Sequence, residues 1–195
     1  MLWERIWPFT ESAIVEDLKE ASSGNVTVRS THRLYFPVPG CILEGVVFQH
    51  DKWTLITIEK LTVHGSFSGI FTHHVPRITA EGGHVFIPPF GSNLSFHSEH
   101  SNLVVEQIIA NGSIVEFASN DPQKKPLRFD VHQALLSDVR WGYPIGYDLK
   151  IHNPEPPGEI ATRGKFGAWT SGRPGDTPIS GEYTFDRASL GVYGG

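Results

Sequence analysis

The sequence predicts a mainly β fold: an N-terminal α-helix followed by a long twisted antiparallel β-meander forming a curved sheet or groove. Three observations carry this expectation. Apolar residues recur at helical spacing near the start and at a period of two from Asn25 onward. Glycine (20) and proline (14) are frequent enough to punctuate many short strands. Apolar residues make up 39% of the 195-residue chain, which suits a sheet covered on one side better than a thick core. The chain accordingly divides into residues 1–24, an N-terminal segment with an amphipathic helix, and residues 25–195, a β-sheet region.

The helix has a start, a stripe and a stop. Thr10 is a good N-cap because its hydroxyl can accept a bond from a free N–H of the first turn. Pro8 precedes it, and Glu11 suits the positive end of the helix dipole. Ala13, Ile14, Leu18 and Ala21 then form the apolar stripe, and Ser22-Ser23-Gly24 ends it.

Strand signals follow. Val26 and Val28 alternate with polar residues, and Pro37 to Gly40 make a turn. Strands are expected over Cys41–Phe48, Trp53–Val63 and Arg77–Pro88, with Gly82-Gly83 marking a bulge in the last. Phe67, Ile70 and Phe71 share one face of a short helix between Ser66 and His74. Leu103–Ile109 and Ser113–Ala118 read as a hairpin around Ala110-Asn111-Gly112, since Asn-Gly is a strong turn signal.

The alternation is cleanest in the C-terminal half. Leu127, Phe129, Val131 and Leu135 share one face, broken by Gln133. Tyr147, Leu149 and Ile151 stand opposite Asp148 and Lys150. After a turn at Asn153–Gly158, Ile160 and Phe166 alternate with Ala161, Arg163 and Lys165. Ile179, Tyr183 and Phe185 do the same against Ser180, Glu182, Thr184 and Asp186. Each large side chain on such a face is worth roughly 1.5–3 kcal/mol when buried. By pattern alone the face is either ordinary core, under the helix or a second sheet, or an open groove.

Several function classes find no support. A net charge of −5 lacks the basic surface that displaces counterions from nucleic acid. There is no G-x-S-x-G elbow, and Gly164 to Gly175 lacks the lysine and spacing of a phosphate loop. Asp17 and Glu20 read as a solvated helix face, and Cys41, flanked by Ile42 and Leu43, as a small buried hydrophobe. His97, Glu99 and His100 are the densest metal-ligating types, with His73, His74 and His84 upstream. On a strand His97 and Glu99 would face one side and His100 the other, so convergence on a metal requires a loop; Ser92, Asn93, Ser95, Ser98, Ser101 and Asn102 suggest one, and a solvated polar loop is the expectation. No enzyme activity, metal or cofactor is expected.

The order of short segments resembles the N-terminal region of the AsmA-like family of bacterial envelope proteins. The matching pieces begin with Trp7-Pro8-Phe9-Thr10, Tyr35-Phe36-Pro37 through Gly40-Cys41, and Glu44-Gly45-Val46-Val47-Phe48. Next come Ile78 through Glu81-Gly82 to Val85-Phe86-Ile87-Pro88-Pro89, and Ile109-Ala110-Asn111-Gly112 to Glu116-Phe117-Ala118-Ser119. The longest run is Asn153-Pro154-Glu155-Pro156-Pro157-Gly158-Glu159-Ile160, Gly164 to Trp169, and Pro174-Gly175 to Gly181-Glu182-Tyr183-Thr184-Phe185.

The resemblance implies a periplasmic segment of a parent anchored in the inner membrane. Both ends of the chain would then be truncations, and it carries no targeting signal of its own. Related TamB and chorein-type lipid bridges imply a hydrophobic groove for phospholipid acyl chains, serving lipid transport between membranes and outer-membrane biogenesis. The groove lining is then expected at Leu127, Phe129, Val131, Tyr147, Leu149, Ile151, Ile160, Phe166, Ile179, Tyr183 and Phe185. The alternative is a scaffold for envelope-assembly proteins, with the apolar face sealed as core.

Overall fold

The structure, a computed structural model, describes residues 14–16, 18, 19, 24–67, 69–72, 74–89, 103–119, 121, 123–154, 157–168 and 176–186. Ten strands form one sheet: β1 (Asn25–Thr27), β2 (Ser30–Leu34), β3 (Gly40–His50), β4 (Trp53–His64), β5 (His74–Ile87), β6 (Val104–Phe117), β7 (Leu127–Arg140), β8 (Ile145–Pro154), β9 (Pro157–Phe166) and β10 (Ile179–Asp186). From β3 to β10 each strand pairs with the next in sequence, while β1 and β2 share the outer edge of β3. The sheet is open, with no pairing between its two edges among the described residues.

One pairing departs from the expected antiparallel meander. β5 and β6 run parallel, so the sheet is mixed. They also carry the same side-chain pattern thirty positions apart. Val75, Ile78, Ala80, Gly82 and Val85 are answered by Val105, Ile108, Ala110, Gly112 and Val115, and the pairing register has that same offset. The expected hairpin at Ala110-Asn111-Gly112 is therefore absent, and β6 runs straight through it. Gly112 is still special, at φ 62°, but it interrupts the ladder without turning the chain, and the register is the same on either side of it.

That interruption belongs to a row. Register places Arg29, Gly45, Glu59, Gly82, Gly112 and His132 abreast, and the ordinary ladder pairs skip each of them. Gly45 and Gly82 have φ 60° and 65°, the left-handed region that glycine adopts at no steric cost. Two of the row's glycines are covered by its large residues: a Cβ on Gly45 would stand 3.0 Å from Cβ of Arg29, and one on Gly82 2.5 Å from Cδ of Glu59, whereas Gly112 is open. A second, shorter interruption crosses β5–β7 at Pro76, Glu106 and Asp138, the last at φ 56°. Pro76 has no N–H to give to a ladder.

At each interruption the alternation of side chains shifts by one. Residues on the apolar face of β6 are Val105, then Ile108 and Ala110, then Ser113, Val115 and Phe117. In β7 the matching set is Val139, then Leu136 and Ala134, then Val131, Phe129 and Leu127. Leu135 therefore does not share the face of Val131 as strict alternation predicts. It stands opposite Ile109 and Asp148, and Leu136 takes its place opposite Tyr147.

The core sits on this face at the N-terminal end of the sheet. Cys41, Leu43 and Val46 of β3 are fully buried with Leu61, Val63, Val75, Ala80 and Val105. Ile14 joins this cluster and Leu18 packs against it, so the helical residues 14–16 and 18–19 cover the sheet there. The expected cap at Thr10, the stripe residues Ala13 and Ala21, and Asp17 and Glu20 lie outside the described residues. The second helix is one turn, Gly69–Thr72, where the expectation spanned Ser66 to His74. Ser66 starts it, its hydroxyl accepting the Gly69 N–H at 2.9 Å.

Candidate functional site

β7, β8, β9 and β10 form the C-terminal end of the sheet, and their register decides which side chains share a face. Val131 stands opposite Ile151, Ile151 opposite Ile160, and Ile160 opposite Phe185. Leu149 pairs with Ala134 and Thr162, and Thr162 with Tyr183. Tyr147 pairs with Leu136 and Gly164, while Phe166 pairs with Ile145 and Ile179. Phe129 and Leu127 continue the face along β7, and the rings of Phe117 and Phe129 meet edge to face at 5.9 Å. Leu127, Phe129, Val131, Tyr147, Leu149, Ile151, Ile160, Phe166, Ile179, Tyr183 and Phe185 thus lie on one face, which also holds Ala134, Leu136, Ile145, Thr162, Gly164 and Gly181.

Burial along this face changes across the sheet. One row runs Val46, Ile58, Gly83, Ser113, Val131, Ile151, Ile160, Phe185. Val46 is 0% exposed and Val131 6%, but Phe185 is 53% exposed. Leu127 (50%), Ile179 (60%) and Tyr183 (53%) are open in the same way. The apolar surface is core at one end and faces outward at the other. Large exposed side chains gathered on one sheet face are unusual on a soluble monomer and mark a contact surface.

A polar spot interrupts that surface. Gly164 and Gly181 stand opposite each other, and Tyr147 reaches across both: a Cβ on either would come within 3 Å of its hydroxyl oxygen. Only glycines leave room for the phenol to lie flat there. The Tyr147 hydroxyl donates to the Ser180 carbonyl at 3.5 Å, the outer limit for such a bond. Its hydrogen bond with Tyr183 holds the Tyr183 hydroxyl above the ordinary tyrosine range.

The other face is charged. Across it run Lys60–Glu81 at 3.3 Å, Arg128–Asp130 at 3.1 Å, His152–Glu159 at 2.9 Å and Arg163–Glu182 at 3.0 Å. Such exposed pairs contribute little stability individually, typically under about 1 kcal/mol. What they set is orientation, because a sheet with ions on one side turns its apolar side toward something else.

His97, Glu99 and His100 lie outside the described residues, as does most of the glycine-rich connection, residues 169–175. Cys41 is buried within the apolar core, and burial pushes its thiol up to about 12, which leaves it a poor nucleophile. The signal for Ala134 and Leu136 was present in the sequence but offset by one position, since it depends on where β7 bulges. No protein-family model matches the chain, and no curated protein matches it.

Proposed function

We propose that this chain is a segment of an AsmA-like envelope protein, acting in the periplasm of a cell whose full-length parent is anchored in the inner membrane. Its sheet contributes a hydrophobic groove that shelters phospholipid acyl chains during transport between membranes and outer-membrane biogenesis. The role involves no chemistry, only apolar contact.

The observation that carries this reading is the outward-facing end of the apolar face. Leu127, Ile179, Tyr183 and Phe185 are half exposed or more, on the same face that is fully buried at Leu43 and Val46. An acyl chain suits such a surface because its affinity grows with area, at up to about 0.8 kcal/mol per buried methylene, and needs no specific partner residue. The order of segments from Trp7-Pro8-Phe9 to Gly181-Glu182-Tyr183-Thr184-Phe185 supports the family assignment.

The test is organic extraction and mass spectrometry of the purified chain, followed by rebinding to the delipidated protein. Phospholipid near one equivalent or more is expected, lost in a Phe129→Asp, Leu149→Asp double variant whose circular dichroism still reports a sheet. A lipid-free, stable monomer would transfer the face to ordinary core and leave a scaffold for envelope-assembly proteins as the better reading.

A further inference from the structure

The charged face holds a cluster that neither the lipid surface nor the core uses. His152 of β8 stands directly opposite Glu159 of β9, with Nδ1 to Oε1 at 2.9 Å. His132 is the extra residue of β7, at the point where its register with β8 shifts between Val131 and Gln133. Its ring lies 6.1 Å from that of His152, at 52°. The three side chains each offer a ligand atom, and these atoms all lie within 4.8 Å of one another. Among the described residues no other group of His, Cys, Asp and Glu converges in this way.

We propose that His132, His152 and Glu159 form a divalent transition-metal site, with zinc the best-matched ion. Two imidazoles and one carboxylate are a recurrent zinc donor set, completed by a water in the fourth position. Ligands bound at 2.0–2.2 Å around a tetrahedral ion stand about 3.4 Å apart. The His152–Glu159 pair needs to open by about half an ångström for this, and His132 to close in, which side-chain rotation supplies. His132 is exposed and His152 and Glu159 half-buried, so the ion has an entry path and the rings have room to turn.

The row explains why the residues meet. Asp130 is the register partner of His152, and without the bulge residue 132 would continue the ladder opposite Lys150. The bulge instead turns His132 toward the neighbouring strand. A cation here bolts β7, β8 and β9 together behind the apolar row Val131, Ile151 and Ile160. It therefore stiffens the sheet next to the strand whose Tyr183 and Phe185 face outward. The alternative reading is a plain His152–Glu159 ion pair with His132 as a bystander, and the two readings differ in what zinc does.

Isothermal titration of the metal-free chain with zinc chloride separates them, with a thermal melt of each sample. One saturable equivalent and a rise in Tm are expected, since an ion bound only by the folded state stabilises it. His132→Asn, at an exposed position, should weaken binding at least about tenfold while leaving the metal-free melt unchanged. Glu159→Gln should weaken binding to a similar degree, and a His97→Ala, His100→Ala double variant should retain the wild-type isotherm. Absence of a saturable equivalent, or an isotherm indifferent to His132→Asn and Glu159→Gln, would overturn the site. Lipid content does not enter these measurements, so the result stands apart from that of the extraction experiment.

Discussion

Replacing Gly112 by alanine isolates the backbone cost of the bulged row. Its φ is 62° and an added Cβ meets nothing within 4 Å, so no steric contact contributes. The left-handed conformation costs a non-glycine residue about 1–2 kcal/mol, and the stiffer unfolded chain returns about 0.4–1 kcal/mol. The expected net loss is about 0.5–1 kcal/mol. Gly82→Ala has the same backbone cost at φ 65°, but its Cβ would also stand 2.5 Å from Cδ of Glu59. Glu59 must swing away, which adds roughly 0.5–1 kcal/mol for a flexible exposed side chain. Adding Glu59→Ala should bring the Gly82→Ala variant back to the level of Gly112→Ala, a coupling energy of about that same size. Urea denaturation followed by circular dichroism reads these differences as midpoint shifts of roughly 0.3–0.5 M for Gly112→Ala and twice that for Gly82→Ala, taking a slope near 2 kcal/mol/M. A Gly112→Ala midpoint at or above wild type, or no coupling between positions 59 and 82, would refute the row as described.

Other consequences follow from the same geometry. Leu43→Ala should cost about 2–5 kcal/mol, whereas Phe185→Ala on the same face should cost no more than about 0.5 kcal/mol, both by denaturant titration. Equal losses would mean that the outer end of the face is packed after all. The Cys41 thiol, pushed up to about 12 by burial, should resist a thiol reagent at pH 8 until the protein unfolds. Its folded value lies above the ordinary 9.0, so its contribution to stability is full below that pH and fades as pH rises toward 12. Tyr147→Phe should lower the titration midpoint of Tyr183, followed by ultraviolet absorbance, because the Tyr147 hydrogen bond is the main cause of its elevation. The sign is the same: the stabilising share is complete below the ordinary value of 10.0 and lost as pH climbs through the raised one.

Strands without an internal interruption were the ones whose faces could be read directly. β8, β9 and β10 alternate without a shift between Val131's partner Ile151 and the ends of their hairpins, so Tyr147 to Phe185 fell on one face as the pattern required. β7 contains a bulge at His132, and counting by two from Val131 reached Leu135 where the fold places Leu136. Asn111-Gly112 resembled a turn because a left-handed glycine serves a turn and an interrupted strand equally well. Pairing settled the matter, and pairing depends on residues thirty positions away. A signal existed for it: the repeat of Ile78, Ala80, Gly82 and Val85 at Ile108, Ala110, Gly112 and Val115 matches the parallel register of β5 and β6. His132, His152 and Glu159 had no such signal, since they meet only after three strands are aligned.

The interrupted row also works like a shared reading frame. A strand assigns successive side chains to alternate faces, so losing one residue exchanges core and solvent along everything beyond it. Gly45, Gly82 and Gly112 each add one count at the same level of the sheet, which keeps their strands in step, and His132, opposite Gly112, ends the row where β7 shifts register against β8. Deleting Gly112 alone would set Ser113, Val115 and Phe117 against the wet side while Val131 and Phe129 beside them stayed on the greasy one. Insertions and deletions in this sheet are therefore expected to be inherited across neighbouring strands together, and a lineage that lost the row would have to lose it everywhere at once.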